Sequence, residues 1–342
     1  MEPFLISLII AATPVLLAGL GELVAERSGV LNLGVEGMML MGAVTAFAVA
    51  YTITGPADLA QNPDYQPLLP RYLAVPVTIL AGALAGALLA LIFCFVSLSL
   101  LANQAATGLA LTIFGIGASG LIGQGFVGEA LEPLPKLDIP YVSDSTAFGR
   151  IFLNHDFMVY LALFMAAGVA WFLARTRAGL SLRAVGDNHD SAHALGLPVI
   201  RTRYLATIFG GAMAGMGGAY LSISYTPMWG ENMTAGRGWI ALALVVFATW
   251  RPWRLVLGAY LFAAVDIMRF YAGSIDAWLC GYAGALCSGP DGEQFMTLLP
   301  SQFLAMAPYI ATIIALVIIS RDVALTKANA PACIGRPFRA ER

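Results

Sequence analysis

Charge is scarce in this sequence. Asp, Glu, Lys and Arg together make up 11% of its 342 residues, where a soluble domain carries about one quarter. A soluble fold of this length is excluded, because it lacks the polar surface to cover itself. Histidine (3) and cysteine (4) are rarer still. His155, His189 and His193 are not grouped with any cysteine, so no metal-ligand spacing exists. There is no G-x-x-x-x-G-K-[ST] phosphate loop, no H-E-x-x-H helix and no catalytic triad. ATP hydrolysis by that loop, and the enzyme classes those motifs define, have no footing. No cofactor, metal or nucleic-acid partner is expected of this chain. The opening MEPFLISLII lacks the basic stretch of a secretory signal, so its apolar run is expected to stay as a membrane helix.

What is abundant is apolar length. Hydrophobic residues reach 59% and the mean hydropathy is +0.79. Crossing the hydrocarbon core takes about 20 such residues. The sequence predicts an all-α, polytopic transmembrane bundle of about nine spans (range eight to ten), forming one domain over 1–342. The spans fall near 4–23, 29–53, 72–98, 105–126, 157–174, 204–226, 238–250, 254–272 and 301–320. The seventh is short and the second contains Gly34 and Gly37, so either suits a broken or re-entrant segment. Gly82–Gly86 and Gly211–Gly215 read G-x-x-x-G, which lets helix backbones approach closely in lipid.

Lys and Arg placement orients the chain. Thirteen of the 18 basic residues fall on alternate connections: Arg27, the segment 175–203, the link with Arg251 and Arg254, and the tail 321–342. These connections are expected in the cytoplasm, with the N-terminus outside. The acidic loop 127–156 fits the external face.

Two polar groups stand out against this background. Between the first two apolar runs lie Glu22, Glu26, Arg27, Asn32 and Glu36, and polar groups near bilayer depth are costly enough to face a partner or a water-filled path. Further on come Asn103, Gln104 and Thr107, with Gln124. Asn32, Glu36, Asn103, Gln104 and Thr107 are candidates for lining a path for a polar, neutral solute. Helix-to-helix hydrogen bonding is the alternative use of the same residues. Gly115, Gly117 and Gly120 match G-x-G-x-x-G, but inside an apolar span they signal packing or a hinge and not a dinucleotide.

The basic segment 176–204 is too long for a turn. Asp187 or Asn188 is placed to cap a short helix from about Asp190, and Gly196 with Pro198 ends it after about two turns. Such a helix between arginines offers a rigid handle to a soluble partner. Cys280 and Cys287 share the loop CGYAGALC. They are either two small loop residues or, if that loop lies outside the cytosol, a disulfide.

The segments ERSGVLNLGVEGMMLMGA (26–43), ANQAATGLALTIFG (102–115), LRAVGDNHDSAHALGLPVIRTRY (182–204) and GRGWIALALVVFATWRP (236–252) resemble one family. It comprises the inner-membrane permeases of bacterial ABC importers for nucleosides and simple sugars, within the branched-chain amino acid and ribose permease group. The resemblance implies a non-catalytic subunit in the cell inner membrane, paired with a second, related permease and embedded in membrane lipid. A cytoplasmic ATPase would bind beneath it and use ATP and Mg itself, and a periplasmic or lipid-anchored binding protein would deliver solute. The family's coupling segment corresponds to 184–203. With the capping residues, that gives Gly186, Asp187, Asn188, Ser191, Ala192, Gly196 and Arg201 as the expected contacts to the ATPase. The competing class is an ion-coupled secondary transporter, for which Glu36 and Asp266 are the candidate mid-membrane ionisable groups. A non-transporting scaffold or receptor is the third class.

Overall fold

A computed structural model describes residues 2–60, 62, 66–136, 147–268, 270–271, 306–307, 310–311, 313–314, 317 and 329–339. Among them the chain is helical and without strands: α1 (Glu2–Arg27), α2 (Val35–Thr54), α3 (Ala57–Ala60), α4 (Arg71–Cys94), α5 (Gln104–Gly123), α6 (Ala147–Phe152), α7 (Phe157–Arg175), α8 (Arg177–Asp187), α9 (His189–Ala194), α10 (Val199–Tyr220), α11 (Arg237–Phe247) and α12 (Pro252–Met268). Short π-helical turns, Phe95–Ser99 and Leu221–Tyr225, extend α4 and α10.

Among the described residues, six helical stretches are long and apolar enough to cross a membrane. They correspond to the first six expected spans. The expected count of nine is not established. The seventh segment is α11, only 11 residues or about 16 Å of rise, well short of a bilayer. The eighth is the 17-residue α12, and most of the ninth lies outside the described residues, as do Cys280 and Cys287. The second helix also begins later than expected, at Val35, because residues 28–34 form a turn.

The centre of the bundle is α1, α2, α4 and α10. Almost the whole of α1 from Ala11 to Glu26 is buried, and α10 is buried over most of its length. The two G-x-x-x-G motifs mesh with each other. A Cβ on Gly86 would run into the Gly211 carbonyl, and one on Gly215 into the Gly82 carbonyl. Gly42 of α2 meets Gly215 in the same way, so three backbones share one seam. In lipid there is no hydrophobic drive between helices, and close backbone packing takes its place. Gly115 abuts Gly37, whereas Gly117 and Gly120 face open space. The fingerprint-like run therefore contributes one packing glycine.

At the rim, Leu80, Leu84 and Leu88 of α4, Ile113 and Leu121 of α5, Phe164 and Trp171 of α7 and Leu257 of α12 are exposed. Apolar side chains facing outward at helical spacing are what a lipid-facing surface requires.

Candidate coupling and translocation site

The basic connections meet at one end of the bundle. Arg27 donates from Nε and Nη2 to the Trp250 carbonyl at 3.3 and 3.1 Å. Arg203 donates from Nε to the Ser28 carbonyl at 3.2 Å, and the Gly335 amide donates to the Gly29 carbonyl at 3.1 Å. The α1–α2 turn thus touches the link before α12, the start of α10 and the tail. At the opposite end, Ala57 pairs with Ala130, and Leu131 with Pro227. The charge alternation in the sequence therefore corresponds to two physical ends.

The segment after α7 is built from two helices, where the sequence reading foresaw one. Thr176 starts α8 by accepting from the Gly179 amide at 2.9 Å. Two glycines obscured this helix, since glycine weakens a helix interior. Here each is a close-approach point. A Cβ on Gly179 would strike the Phe172 carbonyl, and one on Gly186 the Arg27 carbonyl. Asn188 then caps α9, accepting from the Ser191 amide at 3.0 Å. Gly196, at φ +81°, turns the chain out of the helix, with the Leu197 amide returning to the Ala192 carbonyl at 3.0 Å.

Of the expected coupling residues, Asp187, Asn188, Ser191, Gly196 and Arg201 are exposed, while Gly186 and Ala192 are buried against the chain itself. The tip carries a residue the sequence reading missed. Leu195 is 81% exposed, an apolar side chain held out at the end of a short polar helix.

His189 anchors α9 inward. It is buried, and Arg203 Nη2 lies 3.0 Å from its Nδ1. A guanidinium only donates, so Nδ1 is the acceptor and the ring is neutral. Burial, and then the Arg203 charge, hold the His189 pKa below its ordinary value.

The five candidate path residues divide into two groups. Asn32 and Glu36 are fully buried and engaged. Asn32 Oδ1 accepts from the Gly34 amide at 3.0 Å and its Nδ2 faces Met38 Sδ at 3.4 Å. Glu36 Oε1 accepts from Thr234 Oγ1 at 2.5 Å and the Gly236 amide at 2.9 Å, and its Oε2 accepts from the Gly238 amide at 2.6 Å. The carboxylate therefore sits on the N-terminus of α11, where free amides and the helix dipole favour an anion.

The other end of α11 is tied to a second carboxyl. Trp250 Nε1 donates to Glu26 Oε2 at 2.5 Å. This bond and the Arg27 pair hold Thr249 and Trp250 at φ +49° and +54°, a left-handed conformation that costs about 1–3 kcal/mol per residue and persists only where its surroundings impose it. Asp266 lies 4.0 Å from Arg237, so this acid, near the end of α12, has a basic partner.

Asn103, Gln104 and Thr107 form the second group, at the start of α5. Asn103 caps that helix, accepting from the Ala106 amide at 3.0 Å, and remains exposed. Gln104 Oε1 accepts from the Leu31 amide at 2.9 Å, leaving its Nε2 without a hydrogen-bond partner among the described residues. Thr107 is half-buried. Asn103 and Gln104 line a cleft of about 260 Å³ with Leu101, Ala102, Gly335 and Pro337.

Long apolar helices, interior polar clips and an exposed helical handle at the basic end define a polytopic membrane transport subunit. Residues 4–288 match the family described as the permease component of the branched-chain amino acid transport system, and the chain belongs to that family. It is 39% identical over 307 residues, 89% of this chain and 87% of the relative, to TsgC13 of Haloferax volcanii, which carries the provisional name glucose ABC transporter permease protein. It is 30% identical over 336 residues to the guanosine ABC transporter permease protein NupQ of Bacillus subtilis, and 28% identical over 334 residues to the nucleoside ABC transporter permease protein NupC of Lactococcus lactis. Each of the latter two alignments covers 96% of this chain and 94% of the relative. The chain is therefore a permease of the ABC type, working within an ABC system and not as an ion-coupled carrier.

Proposed function

We propose that this permease forms the translocation path for a nucleoside or a related simple sugar in an ATP-driven importer of the bacterial inner membrane. Relatives named for guanosine, nucleosides and glucose support that solute class. The observation that carries the coupling part is α8–α9. This rigid, capped pair of helices leaves Asp187, Asn188, Ser191, Leu195, Gly196 and Arg201 exposed at the end where the basic connections converge. A soluble ATPase docks there, and the positive-inside bias makes that end cytoplasmic, together with the C-terminus. A second, homologous permease and an external solute-binding protein complete the assembly.

In this reading Asn103, Gln104 and Thr107 border the inner part of the path. Asn32 and Glu36 act one layer behind, fixing the 28–34 turn and the start of α11. Uncharged groups suit a neutral, hydroxyl-rich solute, because they exchange hydrogen bonds without holding the cargo too tightly to release it. Closure of the ATPase pulls on α8–α9 and opens the path alternately to the binding protein and to the cytosol. Uptake of labelled guanosine and glucose by proteoliposomes holding the complete assembly tests the proposal. Uptake should require ATP inside and cease when the ATPase is omitted. Undiminished uptake without it contradicts the proposal.

A further inference from the structure

The tail does more than carry positive charge. Residues 329–339 run across the basic end and bond to three separate pieces of the molecule. The Cys333 amide donates to the Gly186 carbonyl at 2.9 Å, at the end of α8, and the Gly335 amide reaches Gly29 in the α1–α2 turn. Cys333 Sγ lies 3.5 Å from the Asp187 carbonyl. Phe338 is buried and packs edge-on against His189 and His193, with centroids at 5.2 and 5.4 Å. Val185, Ala192 and Val199 complete that small apolar cluster.

Arg203 ties these pieces together. Only 1% of it is exposed, and among the described residues it forms no ion pair. Its three donating nitrogens go to three segments: Nε to the Ser28 carbonyl, Nη1 to the Arg336 carbonyl at 3.1 Å, and Nη2 to His189. Burying an unpaired charge is costly, and giving each guanidinium nitrogen an oriented acceptor offsets part of that cost. Gly29 is needed for this convergence. At φ +86° it occupies glycine's region, and a Cβ there would sit 2.9 Å from Arg203 Nη2.

We propose that the tail is a strap that positions the coupling helix, with Arg203 as its positioning residue. The strap and Arg203 fasten α9 to the α1–α2 turn and to α10, so that displacement at the docking face reaches the bundle instead of being absorbed by a loose segment. Its Gly335 and Pro337 also border the cleft beside Asn103 and Gln104, so the strap links the handle to the candidate inner mouth. The inference rests on the reading of α8–α9 as the ATPase contact.

The test uses the assembled transporter in proteoliposomes, with two readouts. One is solute taken up per ATP hydrolysed. The other is crosslinking to the ATPase from a photoreactive phenylalanine placed at the exposed position of Ser191. Phe338→Ala, Arg203→Lys and a chain ending at Lys327 are compared with the parent. The parent should crosslink, and the variants should assemble yet lose about fivefold in uptake per ATP, the size of effect expected when a coupling route is weakened. If the truncated chain fails to insert, Phe338→Ala decides. Crosslinking with uptake per ATP within twofold of the parent overturns the strap alone. Absence of crosslinking in the parent overturns the docking reading and the strap with it.

Discussion

The α4–α10 seam and the junction around Arg203 hold the molecule together by opposite means. The seam is backbone against backbone, with Gly82, Gly86, Gly211 and Gly215 replacing side chains by contact. The junction is side chain against backbone, with one guanidinium satisfying two carbonyls and an imidazole. The seam has no slack and no titratable group, so it suits a part that moves as a rigid body. The junction is made of reversible hydrogen bonds at the end proposed to meet the ATPase. The difference teaches that one region is fixed by backbone packing and the other by a few side-chain bonds, which is what the proposed transmission through the junction requires.

Breaking the seam has the largest expected effect. Gly86→Leu forces a side chain into the Gly211 carbonyl and Gly215, neither of which can step aside. Overpacking of this kind costs about 3 kcal/mol. The purified permease should unfold at a markedly lower temperature, and uptake should vanish because the bundle fails, with no change confined to coupling.

Acidification reaches the junction through His189. His189 is neutral when it accepts from Arg203, and its pKa is held below the ordinary value. Its contribution is complete above about pH 6.5 and is lost as pH falls through the lower folded value, where a second cation would face Arg203. Asp190 opposes that shift, while the Arg336 charge reinforces it. Uptake per ATP should therefore fall as the cytoplasmic side is taken from pH 7 to 5.5, with little change in unfolding temperature. In His189→Asn an amide oxygen takes the place of Nδ1, and the profile should flatten. The same pH dependence in both proteins would detach His189 from coupling.

The smallest effect expected is at the cap of α9. Asn188→Ala removes the bond to the Ser191 amide, worth about 1 kcal/mol. It should leave global unfolding unchanged and increase amide exchange at Ser191 and Ala192 only.

These contrasts also show what the sequence carried. The G-x-x-x-G motifs, the cap at Asn188 and the stop at Gly196 are local rules, and each is met in the structure by the geometry that the rule describes. The charge alternation is equally local, and it located two physical ends. Glycines that serve a tertiary contact are harder to read: Gly179 and Gly186 weaken a helix interior, and only the carbonyls they approach explain their place in α8. Glu36 was visible as a costly polar residue, but its use depends on Thr234, Gly236 and Gly238, some 200 positions away. Arg203 was one arginine among many in a basic segment. Nothing local distinguishes it from exposed Arg201 two residues earlier, because its burial is decided by the tail. Leu195 was hidden for the converse reason, an ordinary apolar residue made unusual only by where the fold holds it out.

The central claim, that α8–α9 is where a separate ATPase engages this permease, is tested most directly at that leucine. Leu195 is 81% exposed, so Leu195→Glu disturbs nothing inside the chain while placing a charge on the proposed contact. Co-purification of the ATPase with the permease from detergent-solubilised membranes is the measurement. The claim predicts that Leu195→Glu inserts normally and unfolds at the parent's temperature, yet loses most of the bound ATPase and, with it, uptake. A variant that retains the ATPase in full and transports at the parent's rate would contradict it.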